Sequence, residues 1–291
     1  MVTVHLSKRE KVFEIGILIC LCIFSVIALI PLLSVISISF SSSRAVDLNV
    51  VTIWPKEFTF DSWSYLLARW DLWRSFLITL LTTVIGTSLA LLVTALLAFP
   101  LSKKEFLPAG ILMVAVVITM VFKAPIVPYF LTVRSIGLYN NPLVLVIPHI
   151  LNPFNLIIMR TFFKQFPKDL EEAALMEGCG YFRLLFHFVL PLSKAVLATL
   201  ALFYGVVVWN QFQHPLFFIQ NPDWFPLQIK IRQFITDPNE MPFVESIMDI
   251  NYNERTLKSA TVVFAIIPVI LVYPFLQKYF VKGAMIGSVK G

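Results

Sequence analysis

The sequence predicts an all-α, polytopic membrane protein with six transmembrane helices. Of its 291 residues, 58% are hydrophobic and 14% are charged, which leaves too little polar surface for a soluble domain of this length. The mean hydropathy is +0.83. Six apolar segments approach the ~20 residues that a helix needs to cross the bilayer hydrocarbon. They cover about 15–40, 76–100, 107–124, 142–161, 195–214 and 259–277.

The first apolar segment, Ile15 to Phe40, follows three basic residues, Lys8, Arg9 and Lys11. A secretory signal has a shorter apolar region of ~7–15 residues. The segment is therefore predicted to be an uncleaved first span.

Charge bias predicts that both termini are cytoplasmic. With the N-terminus inside, the inner segments hold thirteen of the Lys and Arg residues and the longer outer segments hold ten. The short inner loop 101–106 alone carries Lys103 and Lys104. This inner excess explains the net charge of +6 without a nucleic-acid partner.

Small residues recur at four-residue spacing in the second segment, at Gly86, Ala90, Thr94 and Ala98. Such a face allows two helix backbones to approach closely. Packing inside the chain is the simpler interpretation, and contact with a second subunit is the alternative.

Prolines interrupt the third and fourth segments. Non-helical backbone at membrane depth persists only where it is buried in protein or faces a wet cavity. Polar and aromatic residues accompany these breaks and the end of the fifth segment, and they are predicted to line a substrate pathway. The candidates are His149, Asn152, Asn155, Trp209 and Asn210. The alternative is that the amides join helices to one another.

Residues 169–191, between two apolar segments, read as a folded loop. Asp169, Glu171 and Glu172 favour the N-terminal end of a short helix. Its small-residue face, predicted to hold Leu170, Ala173, Ala174 and Glu177, suits a groove on a partner. Gly178 and Gly180 are expected to permit the left-handed turn that ends the helix. A helix lying on the bilayer is the alternative, but three acids disfavour it at an anionic inner leaflet.

The spacing of this loop resembles the EAA loop of ABC importer permeases. It consists of Glu172-Ala173-Ala174, then Gly178, Phe188 and Leu190-Pro191, with Phe188 where the family usually has isoleucine. Three further segments resemble the carbohydrate-uptake branch, whose maltose-type second permease is similar over the whole chain: Pro128–Phe130, Gly137–Asn141 and Trp209–Phe212. Residues 282–291 are similar to the subgroup that imports fragments of complex polysaccharides such as alginate.

The resemblance implies the type I permease fold of ABC importers. One transmembrane permease domain is expected over 1–291, with a cytoplasmic tail at about 1–14, the EAA coupling loop at about 165–191 and an outer loop at about 215–258. The residues implied to dock on the ATPase are Glu172, Ala173, Ala174, Gly178, Leu190 and Pro191.

The resemblance also implies an assembly in the bacterial cytoplasmic membrane. The expected partners are a paralogous permease, two ATP-binding cassette subunits, an extracytoplasmic solute-binding protein and a sugar substrate, within the lipid bilayer. The chain lacks a GxxxxGK[ST] loop, so ATP and Mg²⁺ are expected on the ATPase subunits and the chain itself is expected not to be an enzyme. Neither a cofactor nor a metal site is predicted in this chain.

Two other classes of protein fit the composition. An ion-coupled secondary transporter commonly carries Asp or Glu inside its spans, and the predicted spans have neither. A membrane enzyme needs clustered catalytic groups, whereas His5, His149, His187 and His214 are dispersed along the chain.

Overall fold

The computed structural model describes residues 8–122, 124–236 and 252–288. Fourteen α-helices occupy these residues, and no strand occurs among them. The helices are α1 (Lys8–Ser39), α2 (Ser43–Asp47), α3 (Asp61–Ala68), α4 (Trp70–Ser102), α5 (Ala109–Val121), α6 (Ile126–Ser135), α7 (Pro153–Lys164), α8 (Lys168–Met176), α9 (Tyr181–Leu184), α10 (Leu190–Leu192), α11 (Lys194–Trp209), α12 (Gln213–Phe218), α13 (Leu227–Thr236) and α14 (Glu254–Ser288).

Three helices are long and apolar enough to cross a membrane, over Val12–Ser39, Trp70–Ser102 and Glu254–Val272. Three bent pairs bring the number to as many as six if each pair is counted as one span, which is the predicted span count. These pairs are α5 with α6, bent by 119°, Pro142–His149 with α7, bent by 46°, and the segment Tyr181–Leu192 with α11, bent by 85°.

Several predicted boundaries are wrong. The second span begins at Trp70 rather than at 76, and α11 ends at Trp209 rather than at 214. The last helix begins at Glu254, inside the predicted outer loop 215–258. The second and last helices begin earlier than predicted because amphipathic turns precede their apolar cores, whereas α11 ends earlier because its C-cap is Asn210. Residues 237–251 of that loop, and Lys123, lie outside the described residues.

Contacts divide the chain into two compact units, and the prediction of one domain stays a prediction. The first unit comprises Met1–Trp70 and Ile231–Ile267. Within it, Phe40 stacks on Phe58 and Trp63 at centroid distances of 5.7 and 5.3 Å. Asn253 Nδ2 donates to Asp47 Oδ1 at 2.7 Å, which ties the start of α14 to α2.

The second unit comprises Asp71–Lys230 and Pro268–Gly291. Within it, the small-residue face of α4 is buried, and Thr94 shares a hydrogen bond with Tyr204 of α11 at 2.7 Å. A Cβ at Gly86 would lie 3.6 Å from Val208, also on α11. The predicted use of this face for packing inside the chain is therefore confirmed.

A hydrophobic cluster of the second unit joins the C-terminal half of α4 to α7, α8, α9 and α11. Its buried residues include Ala98, Phe99, Phe163, Ala174, Leu184 and Leu200. This cluster holds the folded loop against the ends of the longer helices.

Candidate functional site

The folded loop opens with α8, whose boundaries follow from local chemistry. Asp169 and Glu171 lie in the first turn, where the positive end of the helix dipole favours acids. Gly178 has a φ of +75°, and its N–H donates to Leu175 O at 3.0 Å. Cys179 N donates to Ala174 O at the same distance. Together these bonds form a Schellman motif, which requires the left-handed residue at Gly178.

The prediction that Gly180 shares this left-handed turn is wrong. Its φ is −70° and its ψ is 160°, an extended conformation that any residue adopts, and it precedes the first turn of α9. The Schellman motif needs one left-handed residue, and Gly178 supplies it.

The two sides of α8 differ in exposure. Ala174 is 7% exposed and belongs to the hydrophobic cluster, whereas Met176 is 88% exposed. Glu172 and Ala173 are exposed on the same side as Met176. The four-residue face predicted from sequence is thus wrong in one respect, because Ala174 packs inward while Leu170, Ala173 and Glu177 are exposed.

The adjacent carboxylates of α8 have different environments. Glu171 forms an ion pair with Lys103, which follows the end of α4, and both side chains are mostly buried. Glu172 is exposed and is free to meet another protein. Sequence reasoning selected Glu172 and missed the Lys103–Glu171 pair, because the two residues lie 68 positions apart.

After Gly180 the chain is helical through Leu192, as α9, a π turn over Leu185–Val189 and α10. Leu184, Leu185 and Val189 are buried, while Phe182 and Phe188 are exposed. Leu190 is half-buried and Pro191 is exposed at the start of α10. The loop therefore rests on an apolar base and presents aromatic side chains outward.

The predicted pathway residues of the fourth span have structural contacts. Asn152 Oδ1 caps α7 by accepting from Phe154 N at 2.9 Å and Asn155 N at 3.3 Å. Asn152 N in turn donates to Tyr204 Oη at 3.0 Å, and Asn155 is buried. The Asn152 amide therefore shapes the break between Pro142–His149 and α7.

The two predicted pathway residues at the end of α11 differ in exposure. Trp209 is buried and packs edge-to-face on Phe76 at a centroid distance of 6.0 Å. Asn210 is exposed, and its Nδ2 donates to Val206 O one turn back at 2.9 Å. Only Asn210 of this pair presents polar surface in this chain.

His149 contacts residues that were not among the predicted pathway residues. Its ring packs edge-to-face on His214 at 4.7 Å, and His214 Nε2 lies 2.8 Å from Tyr129 Oη. Gln211 lies beside His149. Nevertheless, His149 Nε2 and both side-chain polar atoms of Gln211 are buried without a hydrogen bond of normal geometry.

These four residues, Tyr129, His149, Gln211 and His214, form what we call the His149 cluster. Tyr129 lies in α6, His149 ends the segment Pro142–His149, Gln211 lies between α11 and α12, and His214 lies in α12. A buried polar atom without a partner costs about 1–3 kcal/mol, so the side chains of His149 and Gln211 are expected to bond to each other, to water or to a ligand. The signal in the sequence was the clustering of polar residues at breaks in apolar segments.

Comparisons with known proteins agree with this architecture. Residues 90–285 match the family described as "binding-protein-dependent transport system inner membrane component". Protein LplC of Bacillus subtilis (strain 168) is 37% identical over 291 residues, covering 99% of this chain and 98% of its own. The polygalacturonan/rhamnogalacturonan transport system permease protein YtcP of the same organism is 36% identical, covering 97% of this chain and all of its own.

A solved structure also matches. A crystal structure of a bacterial ABC transporter involved in the import of the acidic polysaccharide alginate contains a chain that superposes with a TM-score of 0.89. The two chains are 32% identical, and the match covers 96% of this chain and 100% of the other.

Proposed function

This chain belongs to the family of inner membrane components of binding-protein-dependent transport systems, and we propose that it is a permease subunit of an ABC importer for oligosaccharides. The observation that carries the proposal is the TM-score of 0.89 over nearly the whole chain to a polysaccharide importer. As a multi-pass membrane subunit, it forms part of the route that the sugar takes through the bilayer.

The substrate class is proposed from two relatives whose own substrates are chemically similar. One relative is named for polygalacturonan and rhamnogalacturonan, and the solved structure is of an alginate importer. All three polymers carry carboxylate sugars. We therefore propose short, acidic fragments of complex polysaccharides as the substrate.

The exposed side of α8 is proposed to receive the ATPase. Glu172 and Ala173 lie on that side, and a carboxylate such as Glu172 pairs well with a partner arginine. Ala174 packs α8 on the hydrophobic cluster, and Gly178 ends the helix by adopting the left-handed turn of its Schellman motif. Leu190 and Pro191 complete the loop where it rejoins the spans.

The His149 cluster is proposed to contact the sugar, together with exposed Asn210. Imidazole, amide and phenol groups can each bond to hydroxyls or carboxylates. Unpaired buried polar atoms at His149 and Gln211 support this assignment. Asn152, Asn155 and Trp209 contribute by holding the surrounding helices.

The assembly has cytoplasmic termini in this proposal, which places α8 on the side of the ATPases. A paralogous permease completes the translocation route, two ATP-binding cassette subunits bind ATP and Mg²⁺, and an extracytoplasmic protein delivers the sugar. The chain itself performs no hydrolysis. Closure of the ATPases shifts α8 and the spans between two packed arrangements.

Reconstitution tests the proposal directly. The chain is co-expressed and purified with the partner permease and the ATPase subunits, and the complex is placed in proteoliposomes with the binding protein. Uptake of oligogalacturonates or alginate oligosaccharides that requires ATP supports the importer, and neutral arabino-oligosaccharides serve as the comparison. Uptake by the lone chain, driven by an ion gradient without ATP, would instead establish a secondary transporter.

A further inference from the structure

The C-terminal end of α4 is a point of convergence in the second unit. Arg160 of α7 donates through Nε to Leu101 O at 2.7 Å. The Phe99 ring packs edge-to-face on Tyr181 of α9 at 6.4 Å. Lys103 adds a link to α8. Any movement of these three elements therefore acts on the same turn of α4.

The link to α8 is an ion pair shielded from water. The Lys103 side chain is 13% exposed and that of Glu171 is 18% exposed. The Lys103 ammonium also lies 4.7 Å from the centre of the Phe99 ring, where a cation–π contact holds it. A pair in this environment is screened less than a surface pair and is directional.

Packing near this link is incomplete. A cavity of about 580 Å³ lies between the end of α4 and α9, and its lining includes Phe99, Lys103, Tyr181 and Phe182. The space is open on one side, and apolar contact between the two elements comes from the buried cluster beside it, which includes Phe99 and Leu184. The ion pair supplies a fixed contact at the edge of the cavity.

We propose that Lys103 and Glu171 are positioning residues that make α8 and the last turn of α4 move as one body when the ATPases close. This inference rests on the proposed function, since it requires α8 to dock on an ATPase. The two adjacent acids then divide the work. Glu172 faces the partner, and Glu171 passes the resulting displacement to the long helix α4.

Hydrogen exchange on the assembled complex tests the link without needing to know the sugar. The complex of this chain with its partner permease and ATPases is compared with and without MgATP and orthovanadate. Peptides covering 97–104 and 168–176 report on the end of α4 and on α8. In the native complex we expect both segments to change their exchange rate on trapping.

Charge reversal should separate the two responses. In Lys103→Glu and in Glu171→Lys, segment 168–176 still responds, while the change at 97–104 falls about tenfold, within the range of ordinary coupling between sites. The double variant Lys103→Glu/Glu171→Lys restores both responses. Lys104→Glu, an exposed neighbour, is the matched control and leaves both responses as they are.

Two results would overturn the inference: a full response at 97–104 in either single reversal, or a double reversal that assembles but restores nothing. A merely structural pair would lower the yield of complex but leave the response of 97–104 intact in the complexes that form. If the complex does not form with the charge-reversed variants, hydrogen exchange is measured instead on Lys103→Met and Glu171→Gln, and the same outcomes apply. Failure of 168–176 to respond in the native complex would refute docking itself, and with it the proposed function.

Discussion

Tyr204 of α11 and Thr94 of α4 share a hydrogen bond of 2.7 Å between buried hydroxyls. The same Tyr204 oxygen accepts the backbone N–H of Asn152 at 3.0 Å. One phenol thus connects two spans to the break in a third. The broken fourth span is held in place by this contact, which lies beside the buried small-residue face of α4.

Removing the hydroxyl should destabilise the protein. We expect Tyr204→Phe to cost about 1–3 kcal/mol, because it leaves a buried Thr94 hydroxyl and a backbone N–H unpaired. Thermal unfolding in detergent measures the effect. Tyr181→Phe, which removes the hydroxyl of an exposed tyrosine, is the control and should leave the unfolding temperature unchanged. Equal temperatures for the two variants would contradict the structural role.

Gly178 and Gly180 offer a matched pair for the turn after α8. A Cβ would meet no atom within 4 Å at either position, so sterics with neighbours do not distinguish them. Only Gly178 has a positive φ, which costs a side-chain-bearing residue about 1–2 kcal/mol. We expect Gly178→Val to insert and assemble but to lose sugar-stimulated ATP hydrolysis, and Gly180→Val to retain it. Full stimulation in Gly178→Val would contradict this.

The exposed carboxylate of α8 should govern docking. If Glu172 forms a hydrogen-bonded charge pair that docking buries, removing it costs about 2–5 kcal/mol, so Glu172→Ala should reduce the ATPase that co-purifies with the permease. Asp169→Ala removes another acid of the same helix and should have a smaller effect. The ratio of ATPase to permease in the purified complex measures both. A larger loss for Asp169→Ala would move the contact to the first turn.

The close approach of α4 and α11 should tolerate no larger residue at Gly86. A Cβ there already lies in contact distance of Val208, so Gly86→Leu forces the helices apart at about 1–3 kcal/mol. Gly110 of α5 has open space around it, and Gly110→Leu is the control. The measurement is the thermal stability of the two variants in detergent. Equal stability would mean that α4 and α11 can move apart at no cost in free energy.

Gln211 distinguishes a binding role from a structural one. Because its amide atoms are buried without a hydrogen bond of normal geometry, Gln211→Leu should leave stability nearly unchanged. If the amide meets the sugar, uptake of oligogalacturonates should nevertheless fall several-fold, as expected when a polar contact to a substrate is lost. His187→Phe, which changes an exposed histidine of the loop, provides the comparison. A loss of stability with normal uptake would assign Gln211 to the scaffold.

Much of the fold follows from properties that act locally along the chain. Hydropathy alone predicts six spans, because each span must bury its own backbone hydrogen bonds in lipid. The end of α8 at Gly178 is equally local, since the Schellman motif involves only neighbouring residues. Hydropathy locates neither the amphipathic turns that precede a span nor the residue at which a helix stops, so the start of α4 at Trp70 and the end of α11 at Trp209 were not predicted.

The candidate site was only partly predictable. Asn152 and Trp209 both read as polar or aromatic lining, yet the first caps α7 and the second packs on Phe76. Sequence position does not reveal which side of a broken helix a residue faces. The bends of 46° and 85° contribute to this, and a contact at the first bend, from Asn152 N to Tyr204 Oη, joins residues 52 positions apart.

The sequence by itself determined the class of protein, the spans and the spacing of the folded loop, because composition and short-range turn chemistry suffice for these. Only the tertiary structure decided how the two acids of that loop differ. Glu171 turns inward to Lys103 and Glu172 stays exposed, since helix geometry places neighbours about 100° apart and only packing selects the buried side. The meeting of His149, His214 and Tyr129 likewise required the folded chain, because their segments are distant in sequence and adjacent only after the spans pack.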